Sequence, residues 1–306
     1  MYVLRVADLG SPSYFVATAA VELGFFADEG IEMATVDGSL SGPEGLADGS
    51  VHFFGGPAYG PLRGFPEFAG ARILCALSQY SYWFLGVRAD LPLKRGDMNG
   101  LKGLRISSSL SWPGLGLQHL LKEAGLDLRK DIEIVPSPSQ GKNQRFRAND
   151  GSKALEEGIS DGFWGNGLRM AYGVASGRAK VHLDLRCGEG PPGARYYNFA
   201  ALSASHEFVR NNPDVAAGAV RAIAKAQLAL VKEPMLAKQV GEKLFPYEEA
   251  QLITAAIIHD APYYQAHVPE AAIDGLNYFC LKSGLIKTPL HYSKVVATEL
   301  ARLWTP

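Results

Sequence analysis

Three short segments carry the residues best suited to holding an oxyanion: Gly10-Ser11-Pro12-Ser13, Gly38-Ser39-Leu40-Ser41 and Ser108-Ser109-Leu110-Ser111. Each follows an apolar run and precedes a helical pattern. The first turn of a helix presents unpaired backbone N–H groups at the positive end of its dipole, so a carboxylate, sulfonate or phosphate can bind there without a full cation. Ser11, Ser39 with Leu40, Ser108, Ser109 and Ser111 are therefore candidate ligand contacts. Serine is also a preferred helix cap. Capping and ligand contact are compatible. The run Gly55-Gly56-Pro57-Ala58-Tyr59 is a fourth such place, where paired glycines would let a ligand approach the backbone, and it adds Gly56, Pro57 and Tyr59.

Aromatic residues gather at the same predicted strand ends: Tyr14, Tyr59, Tyr80, Tyr82, Trp83, Trp112, Trp164, Tyr196 and Tyr197. A small-molecule site needs flat apolar walls with a few polar anchors, and Tyr and Trp supply both. Trp112 lies inside a serine loop. Trp164 ends a strand in Asp161-Gly162-Phe163-Trp164-Gly165-Asn166, and Tyr14, Trp112, Trp164, Asn166 and Tyr197 complete the candidate set. Trp83 suits packing as well as a wall, and Tyr82 suits packing better. Arg63, Arg145 and Arg147 are the cations placed to meet an anion. His52 reads as a core residue on a strand, while His259 and His267 are too far apart for a helical metal pair. No catalytic residue, metal or cofactor is expected.

The elements that position these residues follow from periodicity. A strand at 3–7, a helix from Tyr14 that stops at Gly24, and a strand at 31–36 form a βαβ unit, which favours a parallel sheet with ligand at the carboxyl ends of its strands. A short helix ends near Gly49, and a strand at 51–54 follows. The second half repeats the pattern: a strand at 104–107, a helix at 115–124, a strand at 132–135, a loop through 136–149, a helix at 154–159 and a strand end at 162–164. Residues 197–202 read as a strand that returns the chain to its first half. From Asn211 onward the pattern is helical.

Composition narrows the class of partner. The 306 residues are 47% hydrophobic and 20% charged with a net charge of -1, which fits a folded chain and gives no electrostatic footprint for nucleic acid. No run of about eighteen apolar residues suggests a membrane span. Cys75, Cys187 and Cys280 are odd in number and widely spaced, so they suggest neither a disulfide framework nor a zinc site and read as small packing residues.

Several phrases together resemble the nitrate, taurine and aliphatic-sulfonate solute-binding proteins. They are Val21-Glu22-Leu23-Gly24-Phe25-Phe26-Ala27-Asp28-Glu29-Gly30-Ile31-Glu32, then Ala71 to Leu77, then Trp83-Phe84-Leu85-Gly86-Val87-Arg88. Met98-Asn99-Gly100-Leu101-Lys102-Gly103-Leu104-Arg105-Ile106 and Asn211-Asn212-Pro213-Asp214-Val215 follow. The resemblance spans nearly the whole chain. It implies the two-lobed type II periplasmic-binding-protein fold, an α/β architecture in which each lobe is a mostly parallel sheet flanked by helices and the ligand cleft lies between lobes. The first lobe would comprise 1–87 and 201–306, the second 88–200. It also implies a cleft-facing Trp164, a small organic anion as ligand and, if the protein is exported, an ABC permease as partner.

The related thiamine-pyrimidine synthases and aromatic sulfinate desulfinases share that scaffold and keep an enzyme as the alternative. The synthases' cysteine-rich run has no counterpart, since Cys187 stands alone beside 188–199. At the desulfinases' nucleophilic cysteine this chain has Ser11, for which His52 would be the base. The N-terminus runs from Met1 directly into a strand without a signal-peptide pattern. The expected location is thus cytoplasmic as numbered, or periplasmic if the true start lies upstream.

Overall fold

A computed structural model describes residues 1–38, 44–138 and 148–305 and divides the chain into two compact units, Met1–Tyr80 with Asn198–Pro306, and Ser81–Tyr197. These boundaries fall a few residues from the expected 87/88 and 200/201. The reason is pairing. The segment Phe84–Arg88 is hydrogen-bonded on both sides within the second sheet, whereas the Ala58 N–H donates to Asn198 Oδ1 and to the Phe199 carbonyl in the first unit.

Among the described residues ten strands build the two sheets: β1 (Tyr2–Val6), β2 (Met33–Asp37), β3 (Phe53–Pro57), β4 (Ala71–Ser78), β5 (Phe84–Arg88), β6 (Leu104–Ser108), β7 (Ile132–Pro136), β8 (Gly162–Gly165), β9 (Ala179–Asp184) and β10 (Ala200–Ser205). In the first unit the order is β2-β1-β3-β10-β4, and in the second β7-β6-β8-β5-β9. The sheets are mixed. β10 runs antiparallel to both its neighbours, and so does β5, while the other four strands of each sheet point the same way. The carboxyl ends of those four strands therefore share one edge of each sheet.

In the first unit, β1 alternates as its sequence requires, with Leu4 and Val6 fully buried. The helix Pro12–Glu22 buries nine consecutive residues from Pro12 to Ala20, because it is covered by β4 on one side and by the helices Pro213–Lys232 and Tyr247–Asp260 on others. Full burial of a side chain such as Phe15 stabilises by about 1.5–3 kcal/mol. The helix stops where expected, with Gly24 left-handed at φ 83°. Glu29 then ties this segment to the long helix, accepting from Arg221 at 2.7 Å and Lys225 at 2.8 Å. The Arg221 hydrogen bond, working against burial, holds the Glu29 carboxyl below its usual range. Where β4 shifts register against β10, the buried Gln227 amide donates to the carbonyls of Ala76 and Leu77 at 3.0 Å each. A polar side chain thus satisfies the backbone at the irregularity.

The second unit packs Phe84, Leu155, Phe163, Met170 and Ala179 into a core under the helices Asp150–Glu156 and Gly167–Ala175. The helix Trp112–Glu123 begins three residues earlier than its periodicity suggests, with Pro113 in its first turn. Two cysteines behave as packing residues and one does not: Cys75 and Cys280 are fully buried, whereas Cys187 is exposed. Burial raises both buried thiols, Cys280 up to about 12. Since the thiolate is the reactive species, Ellman's reagent should titrate one thiol in the native protein and three after denaturation. Rapid native labelling of three would contradict this packing.

Candidate functional site

At the carboxyl edge of the first sheet, the chain leaves β1, turns through Asp8 to Ser11 and enters the Pro12–Glu22 helix. The turn is built locally: the Gly10 N–H donates to Asp8 Oδ1 at 3.0 Å, and the Ser11 N–H to the Asp8 carbonyl at 3.1 Å. Distant residues then fix the first helical turn. Ser13 Oγ bonds Asp260 Oδ2 at 2.6 Å, and Tyr264 donates its hydroxyl to the Pro12 carbonyl at 2.8 Å. Ser11 takes the N-cap position, yet its side chain makes no cap hydrogen bond. Its Oγ is buried without a hydrogen-bond partner among the described residues, and Ser11 is only 1% exposed. A buried hydroxyl left unsatisfied costs about 1–3 kcal/mol, which a ligand oxygen would recover. Ser78, which ends β4 at the same edge, likewise holds a buried hydroxyl without a partner.

Tyr14 and Tyr59 are buried in the first unit, and the Tyr59 ring lies 5.8 Å from that of Phe279. Gly56 and Pro57 belong to β3 rather than to a loop, so the strand is longer than expected. Gly56 is small for another reason than ligand access. A Cβ there would stand 2.4 Å from the Phe54 ring and 2.9 Å from Ala7 Cβ, so the glycine makes room for packing. Ser39 and Leu40 lie outside the described residues, as do Arg145 and Arg147.

The corresponding edge of the second sheet gathers Ser108, Ser109, Ser111, Trp112, Trp164 and Asn166. Ser109 Oγ and Ser111 Oγ are 2.8 Å apart, the Ser111 N–H donates to Ser109 Oγ at 3.2 Å, and Ser108 Oγ donates to the Ser109 carbonyl at 3.3 Å. Ser111 is again an N-cap residue whose side chain does not cap. By contrast Asn166 does cap: its Oδ1 accepts the Arg169 N–H at 3.2 Å at the start of the Gly167–Ala175 helix. The Trp164 indole N–H donates to the Pro113 carbonyl at 3.2 Å, and its ring stacks on Trp83 at 5.7 Å and 10°. Trp164 is 3% exposed and Trp83 is half-buried. Trp83 is thus the more accessible face of the pair. Trp112, half-buried, opens the helix beside it, and Tyr197 precedes β10 rather than starting it, with His119 edge-on at 4.7 Å.

Two expectations are overturned by geometry. Arg63 is exposed and forms an ion pair with Glu44 at 3.1 Å, so it is not held toward an anion. His52 accepts the Val3 N–H on Nδ1 at 3.0 Å and packs among the rings of Tyr2 and Phe208, at the amino end of β3. Ser11 follows the carboxyl end of β1. The length of β1 from Val3 to Val6 separates the two, roughly 10 Å at 3.3 Å per residue. His52 therefore cannot serve as a base for Ser11. Among the described residues no group of three or more His, Cys, Asp or Glu could hold a metal.

Sequence reasoning missed a buried charged cluster in the second unit. Arg186 is fully buried and Asp184 is 2% exposed; Arg186 N–H and Nε both donate to Asp184 Oδ1, at 3.1 and 3.4 Å, and the guanidinium sits 4.8 Å over the Phe84 ring. Arg169 is also buried. The only sequence signal was an Asp-x-Arg triplet at the end of an apolar strand, and nothing in such a triplet distinguishes a buried pair from a surface one.

No protein-family profile matches the chain, and no curated protein sequence is significantly similar to it. Solved structures are similar in fold. The alkanesulfonate-binding protein SsuA from Xanthomonas axonopodis pv. citri, bound to MOPS, is 16% identical, with 97% of this chain and 98% of that one covered at a TM-score of 0.70. The periplasmic nitrate-binding protein NrtA from Synechocystis PCC 6803 is 15% identical over 98% of this chain and 87% of that one, TM-score 0.71. The desulfurization enzyme DSZB is 18% identical over 99% and 98%, TM-score 0.72. The chain has the two-lobed α/β fold shared by these sulfonate- and nitrate-binding proteins, the type II periplasmic-binding-protein fold.

Proposed function

We propose that this chain is a solute-binding protein of an ABC-type import system, with a small organic anion such as a sulfonate, carboxylate or aromatic acid as its ligand. The observation that carries the reading is Ser11: a buried hydroxyl with no hydrogen-bond partner among the described residues, at the start of an eleven-residue helix whose first turn is fixed by Asp260 and Tyr264. Backbone N–H groups and a free hydroxyl at such an end suit an oxyanion. The paired hydroxyls of Ser109 and Ser111 beside the Trp83–Trp164 stack supply the same chemistry with an aromatic wall in the second unit. A permease is the partner that this function implies.

The enzyme on the same fold would need Ser11 activated by a hydrogen-bonded base. None bonds its Oγ among the described residues, which favours binding over catalysis. Titration calorimetry against alkanesulfonates, carboxylates, aromatic acids and pyrimidines tests the reading. One or more anions should bind saturably at 1:1, unconsumed after prolonged incubation, and Ser11→Ala should weaken binding about 10- to 100-fold, as expected for a hydrogen bond to a charged group. Stabilisation by cations or sugars alone would refute the anion, and ligand turnover would refute the binding protein.

A further inference from the structure

The first unit contains a cavity of about 530 Å³ at the edge of its sheet opposite Ser11: its walls include Ala71 at the start of β4 and His206 just after β10. That volume lies in the range of small-molecule sites. Its polar wall carries Arg72, Lys294 and the imidazoles of His206 and His291, together with Glu67. The carboxylate is already engaged. Glu67 accepts from the Lys287 N–H at 2.9 Å and from the Thr288 N–H and hydroxyl at 3.3 Å each, and these bonds, led by that from Lys287, hold it ionised below its usual range.

Arg72 anchors one wall of the cavity. Its Nη1 donates to the carbonyls of Ser293 and Lys294 at 2.9 and 2.7 Å, and Nη2 lies 3.8 Å from Glu299. Its Nε is buried and has no hydrogen-bond partner among the described residues. That nitrogen is closed off from the cavity, so the donors left to meet a ligand are the wall groups without a hydrogen bond among the described residues, the Lys294 ammonium and the N–H groups of two imidazoles. Phe68, Leu290 and Val295 give the cavity an apolar floor.

The frame is also held under strain. Glu67 and Phe68 are consecutive non-glycine residues in the left-handed region, at φ 55° and 59°. Such geometry persists only where surrounding contacts impose it, and it concentrates at binding sites. Here the contacts are the Glu67 bonds to 287–288 and the His206 N–H donated to the Gly70 carbonyl at 2.7 Å. With Arg72 gripping 293–294, the three wall segments are fixed to one another before any ligand arrives.

We infer that this cavity is a second binding site, independent of the one at Ser11, for a small organic anion with a carboxylate or phosphate-monoester head and a compact apolar body. The test uses the Ser11→Ala protein, in which the first site is weakened about 10- to 100-fold, titrated with phenyl phosphate and with benzoate, so that the pocket variants below decide which site the probe occupies. Either or both probes should bind saturably at 1:1 up to millimolar concentration, and their ratio assigns the head group. The double substitution Lys294→Gln with His291→Gln, at exposed positions, should weaken that binding at least 10-fold, and Ala69→Phe, which fills the cavity without touching a charge, should do the same. Neither should alter binding of the first-site ligand to a protein that retains Ser11. Absence of saturable binding by both probes, or binding indifferent to both pocket variants, would overturn the inference while leaving the first site untouched.

Discussion

Replacing Arg186 with Met should cost the second unit about 3–5 kcal/mol, the largest loss expected from any single side chain described above. Asp184 is 2% exposed and its Oδ1 accepts from both the backbone N–H and the Nε of Arg186. Removing the guanidinium leaves a buried carboxylate without the ion pair it makes with Arg186. Methionine fills similar volume, so the loss measures charge rather than a void. The second substitution decides between those causes. Asp184→Asn in the Arg186→Met background removes the orphaned charge and should recover part of the loss, giving a favourable coupling between the two sites of at least 1 kcal/mol in a double-mutant cycle. Urea denaturation followed by tryptophan fluorescence reads the unit directly, since Trp83, Trp112 and Trp164 all lie in it. Arg186→Met within 1 kcal/mol of wild type would show that the pair is dispensable.

That cluster also marks the limit of what the sequence could show. Strand and helix order was legible because it rests on local periodicity: the alternation in β1, the glycine stop at Gly24 and the serine loop before the Trp112 helix all follow from residues a few positions apart. The misreadings arose where distant packing decided. Gly55-Gly56-Pro57 looked like a loop, but the Phe54 ring lies over the space above Gly56, so the glycines continue β3. The sequence reading bounds the first lobe at residue 87, whereas β5 pairs with β8 and β9, which come much later in the chain. Ser11 and Ser111 read as helix-start residues from the sequence, yet neither side chain caps its helix in the fold. Arg186 and Asp184 were invisible because burial of a charged pair depends on both faces of the sheet, not on neighbours in sequence. The pocket around Arg72 joins residues more than two hundred positions apart, which no motif could announce.

Gly114 is the other position where one small change should have a large effect. It sits in the first turn of the Trp112–Glu123 helix, and a Cβ built on it would stand 1.8 Å from the Ser109 carbonyl oxygen. That neighbour is backbone, so it cannot swing aside as a side chain would. Gly114→Ala must push the 108–111 loop away from the helix, breaking the contact that places the Ser109 and Ser111 hydroxyls and shifting Pro113, whose carbonyl holds the Trp164 indole at 3.2 Å. We expect a loss of roughly 3 kcal/mol, at the upper end for overpacking, together with a changed near-ultraviolet dichroism from the displaced tryptophan. Gly116→Ala is the matched control two residues on. Its Cβ would meet the Trp164 ring at 3.4 Å, an ordinary contact, and alanine in a helix interior favours the fold by up to about 1 kcal/mol over glycine. The control should therefore be as stable as wild type or more so, with its tryptophan spectrum intact. If both variants behave alike, the close approach of loop and helix does not set the geometry of this edge. If only Gly114→Ala fails, and anion binding weakens with it, then the serine loop needs that contact both to fold and to present its hydroxyls, and the glycine is required by packing at the start of the helix rather than by backbone flexibility.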